Sequence, residues 1–350
     1  MNTLPAVDLE SLVKFLSGLL NTPSPTGFTE NAIRYAEEAF GSLPEVQLKR
    51  TRKGALMAVY PGENSSAPRA LSAHVDTLGA MVKEIKSNGR LRISRLGGIP
   101  WNVIEGEGLT VFTRSGERIR GSLLIETASV HVHAEKVSST PRNEETLEVR
   151  LDARTVNAEE TAALGIQVGD FIAFDPRVEV TNGFVRSRYL DDKASVACVF
   201  AAYSALHAAG LRPRQTAYAL ISNYEEVGHG ASTGFPPEVG ELVVVDMAAV
   251  GQGQTSDEFH ATLCVKDSGG PYDHHLSNRL RTLAEASQIP YKVDIYPSYG
   301  SDGTALLRTG ADVAVALIGP GVDASHNYER THSEALLATS QWILAYLLAE

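Results

Sequence analysis

Cysteine is nearly missing from this 350-residue chain, which has only Cys198 and Cys264, set in the apolar stretches SVACVF and ATLCVK. A disulfide framework is therefore excluded, and two reduced core thiols fit a cytoplasmic protein. Basic charge is also short: 31 Lys+Arg stand against 42 Asp+Glu, for a net charge of -11. Such a surface repels phosphate backbones and anionic lipid, so neither nucleic acid nor a membrane is expected as a partner. No run approaches the ~18 apolar residues of a membrane span. The N-terminal MNTLPAVDLE lacks the basic flank and apolar core of a secretory leader. With 43% hydrophobic and 21% charged residues the rest is an ordinary globular composition. At roughly 100 to 200 residues per domain, the length allows one large or two ordinary domains.

The patterning adds an order of elements. Asp8 is placed to cap a helix with the stripe Leu9, Leu12, Val13, Leu16, Leu19 and Leu20, ended by the turn-rich Thr22-Pro23-Ser24-Pro25-Thr26-Gly27. A second helix is expected from Thr29 to Phe40. Residues 55–60 and 70–75 are apolar runs, and the second is too apolar on both faces for a solvated strand, so it reads as a buried parallel one. From about residue 82 to 180 the texture changes to short alternating segments broken by Asn88-Gly89, Gly97-Gly98 and Ser115-Gly116, a β-rich block with hairpin turns. Strand and helix then alternate again: helix 194–209, strands 217–222 and 242–246, helix 273–287, strand 313–318 and a last helix from Ser333. An α/β domain interrupted by a small β domain accounts for this order.

Acidic and imidazole clusters fall where expected strands run out: His74-Val75-Asp76, Tyr224-Glu225-Glu226, Asp246 and the segment 325–332. Ligands of open α/β sheets gather at the carboxyl ends of strands, so these clusters point to one crevice. His74 and Asp76 share a face of an extended chain, which lets the carboxylate orient the imidazole while its other nitrogen binds a metal. Adjacent Glu225 and Glu226 point in different directions, so that one can ligate and the other move a proton. Asp191-Asp192 precedes a helix, where simple capping is the plain alternative. Asp246 ends an apolar strand and needs a partner there. Two Zn²⁺ would carry four positive charges; Asp191, Glu226 and Asp246 would cancel three, with His74 and His332 completing the shells and room left for a hydroxide. Two such ions make a nucleophile from water and clamp a carbonyl, which suits amide hydrolysis. His131, His133, His274 and His275 are read as structural or surface residues.

The ordered set resembles the M42 family of co-catalytic metallo-aminopeptidases, which includes the tetrahedral and the bacterial glutamyl aminopeptidases. It is carried by Ser72-Ala73-His74-Val75-Asp76-Thr77-Leu78-Gly79-Ala80-Met81-Val82, Leu164-Gly165-Ile166-Gln167-Val168-Gly169-Asp170, Tyr189-Leu190-Asp191-Asp192-Lys193, Glu225-Glu226-Val227-Gly228, Val245-Asp246, Ser301-Asp302-Gly303 and Thr331-His332-Ser333. The resemblance implies a three-layer α/β/α zinc-peptidase catalytic domain, residues 1–77 and 179–350, with an inserted small β-barrel-like dimerisation domain, residues 78–178. It implies His74 and Asp246 as ligands of one metal, Glu226 and His332 of the other, Asp191 as the bridge, Asp76 as the orienter of His74 and Glu225 as general base. His326 competes with His332, and the Thr-His-Ser context favours His332. Two divalent ions are implied, Zn²⁺ first, with Co²⁺ or Mn²⁺ tolerated by such donors. So are a peptide or small amide substrate and a homo-oligomer, from dimer to dodecamer. Lys193, Thr77 and Ser301 depart from the family's usual Arg, acidic residue and Thr.

The chemistry expected is removal of N-terminal residues from peptides. A related di-zinc deacylase acting on N-acylated amino acids or capped dipeptides would need nearly the same ligands. A scaffold without activity should have lost ligands or base. A glycoside hydrolase would give Glu225 and Glu226 a pair of roles but leave His74, Asp246 and His332 without any.

Overall fold

The computed structural model describes residues 4–350; residues 1–3, part of the stretch read for a leader, lie outside it. The chain separates into two compact units, one running to Asp76 and resuming at Arg177–Glu350, the other Thr77–Pro176.

The first unit is built on a large mixed sheet. Four neighbouring strands run parallel in the order Gln215–Ser222, Asn64–His74, Glu241–Val245 and Ala314–Asp323. Their central segments are apolar on both faces, as a covered parallel sheet demands. Leu242, Val244, Ala70, Val315 and Leu317 cluster with Leu306 of the helix Asp302–Arg308. Successive strand residues point to opposite faces, so Leu71, Val243 and Ala316 turn to the other side. There the helix Leu190–Ala209 packs between Leu9–Leu20 and Ser333–Leu348. It is buried on nearly every side, which is why its sequence ASVACVFAAYSAL shows no polar stripe. The result is the expected α/β/α layering. Asp8 caps the first helix by accepting from Ser11 N, as its position suggested.

The strand expected at 70–75 is longer, Asn64–His74, and the segment 325–332, for which no strand was expected, ends in the strand Glu329–His332. That strand pairs with Phe184–Ser187, so Glu329 faces Ser187 and Thr331 faces Val185.

The second unit is a closed antiparallel barrel in the order Gly79–Ile85, Leu91–Leu96, Leu147–Leu151, Arg118–Ile125, Gly108–Phe112 and Phe171–Phe174. Alternate residues such as Val82, Ile93, Val111, Leu123, Val149 and Ile172 fill it. The Asn88-Gly89 signal is the first hairpin turn, where Gly89 has φ +79° and donates to Lys86 O at 2.9 Å. Short helices at Val130–His133, Lys136–Ser139 and Ala158–Ala163 also lie in this block, too short to leave a periodic trace. Among the described residues no helix is long and apolar enough to cross a membrane.

Candidate metal centre

The parallel register brings the strand ends level. Ser222 lies opposite His74, and Val244 lies opposite Ser72, so that chain leaving each strand enters the same edge region. His74 is the last residue of its strand and is 1% exposed. Its Nδ1 lies 3.0 Å from the main-chain oxygen of Asp76 and 3.5 Å from the Asp76 carboxylate. The nearer partner is thus the backbone carbonyl. The Asp76 carboxylate accepts instead from Thr26 Oγ1 at 2.7 Å, Glu225 N at 3.1 Å and Glu226 N at 3.3 Å. It holds the turn that carries both glutamates.

Thr26 is held in its own right. The buried ammonium of Lys193 donates to Leu19 O at 3.0 Å and Thr22 O at 2.7 Å, tying the end of the first helix to the turn that presents Thr26. Thr26 was legible in the sequence only as part of a turn.

Asp191 sits at the mouth of the long helix in an extended conformation, φ -74° and ψ 105°, after Tyr189 at φ +73°, and its peptide bond to Asp192 is cis. It caps nothing regular, so its carboxylate faces the site. Asp246 follows the strand Glu241–Val245 and its main-chain N donates to Ile318 O at 3.0 Å.

Two groups of donors result. In the first, one ligand atom each of His74, Asp191 and Asp246 lies within 4.8 Å of the others; in the second the same holds for Asp191, Glu226 and His326. Asp191 belongs to both. Its Oδ1 lies 3.3 Å from His74 Nε2 and its Oδ2 lies 3.5 Å from His326 Nε2. Glu226 Oε2 is also 3.5 Å from His326 Nε2, while Glu225 Oε2 stands 3.7 Å from His74 Nε2 without belonging to either group.

His332, favoured from its sequence context, is elsewhere. Its Nδ1 accepts from Glu334 N at 3.2 Å, capping the last helix, and its Nε2 lies 3.3 Å from Asn182 O. The ring packs against Phe184 and Phe259. The correction has a physical origin: His332 ends a strand paired with Phe184–Ser187, and the pairing turns it toward Phe184, whereas His326 projects from the preceding turn at φ +65°.

The electrostatics ask for positive charge. Burial, then the neighbouring Asp191, push the Asp246 carboxyl up to about 7. Burial and the charge of Asp191 also raise Glu226, which His326 and His74 only partly oppose. Burial acts to lower His326, but its pairing with Asp191 and the charge of Glu226 push it up to about 10. Burial would raise Asp191, yet the His326 and His74 imidazoles hold it below the usual carboxylate range. His74 Nε2 and Asp246 Oδ1 are buried with no hydrogen-bond partner. Buried polar atoms seldom stay unpaired. An imidazole nitrogen and a carboxylate oxygen aimed at one point are the donors a divalent metal takes, and the site fits one.

Residues 54–341 match the sequence profile of the M42 glutamyl aminopeptidases. The chain belongs to the M42 peptidase family. The YhfE protein of Bacillus subtilis is 46% identical over 336 residues, spanning 96% of each chain. Among solved structures, the aminopeptidase APDkam598 of the archaeon Desulfurococcus kamchatkensis shares the fold with a TM-score of 0.86 at 21% identity, covering 97% of this chain and 95% of its own. So does the TET1 peptidase of Pyrococcus horikoshii, which can assemble into a tetrahedron or a large octahedral shell, with a TM-score of 0.83 at 20% identity over 97% of this chain and all of its own. As an M42 peptidase the protein is an aminopeptidase, a hydrolase of peptide bonds.

Proposed function

We propose that this M42 aminopeptidase works with two divalent cations, one held by His74, Asp246 and Asp191 and the other by Asp191, Glu226 and His326. The observation that carries the reading is the Asp191 carboxylate, which offers one oxygen to each group. Zn²⁺ is the first candidate for such N/O donors, and a pair of such ions supplies Lewis acidity toward a carbonyl oxygen and lowers the pKa of water.

Glu225 is the general base. It stands beside both groups without joining them, takes the proton of the attacking water and returns it to the leaving amine. Burial raises its carboxyl, His74 opposes the rise, and Asp246, Asp302 and Glu226 add to it, which suits a group that must hold the proton between two steps. Asp76 acts on both sides of this arrangement, through its carbonyl on His74 and through its carboxylate on the Glu225-Glu226 turn.

The barrel unit is proposed as the domain through which copies of the chain assemble, in line with the shells formed by the Pyrococcus horikoshii relative. Two free, buried cysteines suit a cytoplasmic protein.

The test is a panel of free and N-acetylated aminoacyl anilides, run on chelator-stripped protein with Zn²⁺, Co²⁺ or Mn²⁺ restored. Metal-dependent release from free N-termini supports the reading. Release confined to acylated substrates would contradict it.

A further inference from the structure

Glu329 belongs to neither donor group, yet its side chain is buried behind one of them, with the residue 2% exposed. Its Oε2 accepts from the main-chain N–H of Asp191 at 3.1 Å, and its Oε1 accepts from the main-chain N–H of His326 at 3.0 Å. Each oxygen therefore grips the backbone of one residue whose side chain enters the Asp191, Glu226 and His326 group.

The strand pairing explains how one carboxylate reaches both. Glu329 opens the strand Glu329–His332 and lies opposite Ser187, so it faces the segment that leads into Asp191, and it follows His326 by one turn of chain. Both gripped segments need an outside hold. Ala324 and His326 adopt left-handed φ of +59° and +65°, conformations that non-glycine residues keep only when their surroundings fix them. Asp191 is extended, φ -74° and ψ 105°, at the mouth of a helix whose regular turn it does not follow. A carboxylate that accepts two N–H bonds is a strong and directional anchor. Ser325 Oγ adds a direct tie to Asp191 Oδ2 at 3.1 Å, so the turn and the helix mouth are joined at both side-chain and main-chain level.

We propose that Glu329 is a positioning residue that sets the spacing between the Asp191 and His326 side chains, and thereby the affinity of that group for a divalent cation. This rests on the two-cation reading above. It separates Glu329 from a merely structural acid, because losing it acts more on the cation of the Asp191, Glu226 and His326 group, where it holds two of the three residues, than on the other, with which it shares only Asp191.

The experiment is calorimetric titration of Zn²⁺ into the metal-free full chain for the native protein, Glu329→Ala, Glu329→Gln and His326→Ala, with visible absorption of the Co²⁺-loaded forms. Glu329→Ala weakens one of two binding steps by about 10- to 100-fold, the usual cost of removing a group that orients a ligand, weakens the other less, and alters one of two Co²⁺ signatures more than the other. Glu329→Gln, which keeps the size and one acceptor oxygen, loses less and serves where the alanine variant does not fold. Two unchanged steps, or two steps weakened equally, overturn the role of Glu329. A native protein that binds a single ion, or a His326→Ala variant that keeps both, overturns the two-cation reading itself and this inference with it.

Discussion

The two oxygens of the Asp191 carboxylate divide between two imidazoles, with His326 Nε2 3.5 Å from Oδ2 and His74 Nε2 3.3 Å from Oδ1. At 3.5 Å the contact to His326 is longer than an N–H···O hydrogen bond, and is what two donors show when they face a common point. On the two-cation proposal, His326→Ala should therefore cost the protein one of two ions. His332→Ala should keep both, because that ring caps a helix, and should lower stability by about 0.5–2 kcal/mol as other lost caps do. Elemental analysis paired with urea unfolding separates the two. An ion lost from His332→Ala and retained in His326→Ala would reverse the assignment.

Glu225 makes a sharper test, since it approaches His74 Nε2 at 3.7 Å without belonging to a donor group. Glu225→Gln keeps the shape and removes the proton acceptor. Turnover should fall about 10²- to 10⁴-fold, the range for a lost general base, with ion content unchanged. Should the variant keep full turnover, the base lies elsewhere.

Much of this was readable in the chain itself. The layered α/β fold, the interrupting barrel and the acidic strand ends followed from apolar runs, hairpin glycines and residues placed just after strands. His74, Asp76, Glu225, Glu226 and Asp246 were legible because each lies next to a strand whose end is marked by a change from apolar to polar residues. The histidine of the last segment was not, because both His326 and His332 sit among polar residues and only strand pairing decides which way each points. Glu329 and Thr26 escaped for a related reason. Their partners are the main chain of Asp191 and His326 in one case and the Asp76 carboxylate in the other, all reached through tertiary contacts that leave no spacing to detect.

Two of the shifted groups that shape the pH dependence of ion binding are His326 and Asp246. His326, normally near 6.5, stands at about 10 in the metal-free protein, and Asp246, normally near 3.8, stands at about 7. Both are raised, so the stability that His326 adds is complete below 6.5 and fades as pH climbs through about 10; that of Asp246 is complete below 3.8 and fades through about 7. A cation must displace these protons. Binding near neutral pH should release protons, and the gap in Tm between loaded and metal-free protein should widen as pH rises from about 6 to about 9. Lys193, pushed down to about 7 by burial, works in the opposite sense, its contribution to stability growing as pH rises above about 7. Calorimetry in buffers of different ionisation enthalpy measures the release directly, and a proton count of zero would refute the argument.

Gly319 tests whether the backbone at the sheet edge sets the position of Asp246. A Cβ on Gly319 would lie 1.7 Å from the Asp246 carbonyl oxygen and 2.6 Å from its carbonyl carbon, so main chain must move away from main chain. Gly321, two residues on in the same strand Ala314–Asp323, has an equally close neighbour, Asp257 O at 1.8 Å, but that residue is in neither donor group. Overpacking at either position should destabilise the fold by about 1–3 kcal/mol. Only Gly319→Ala should also weaken the ion shared by His74, Asp191 and Asp246, because it alone shifts a donor. Gly321→Ala is thus the control for a general loosening of the strand. If the two variants lose ions alike, the position of Asp246 is not what the glycine protects, and the small residue there serves only the packing of the sheet.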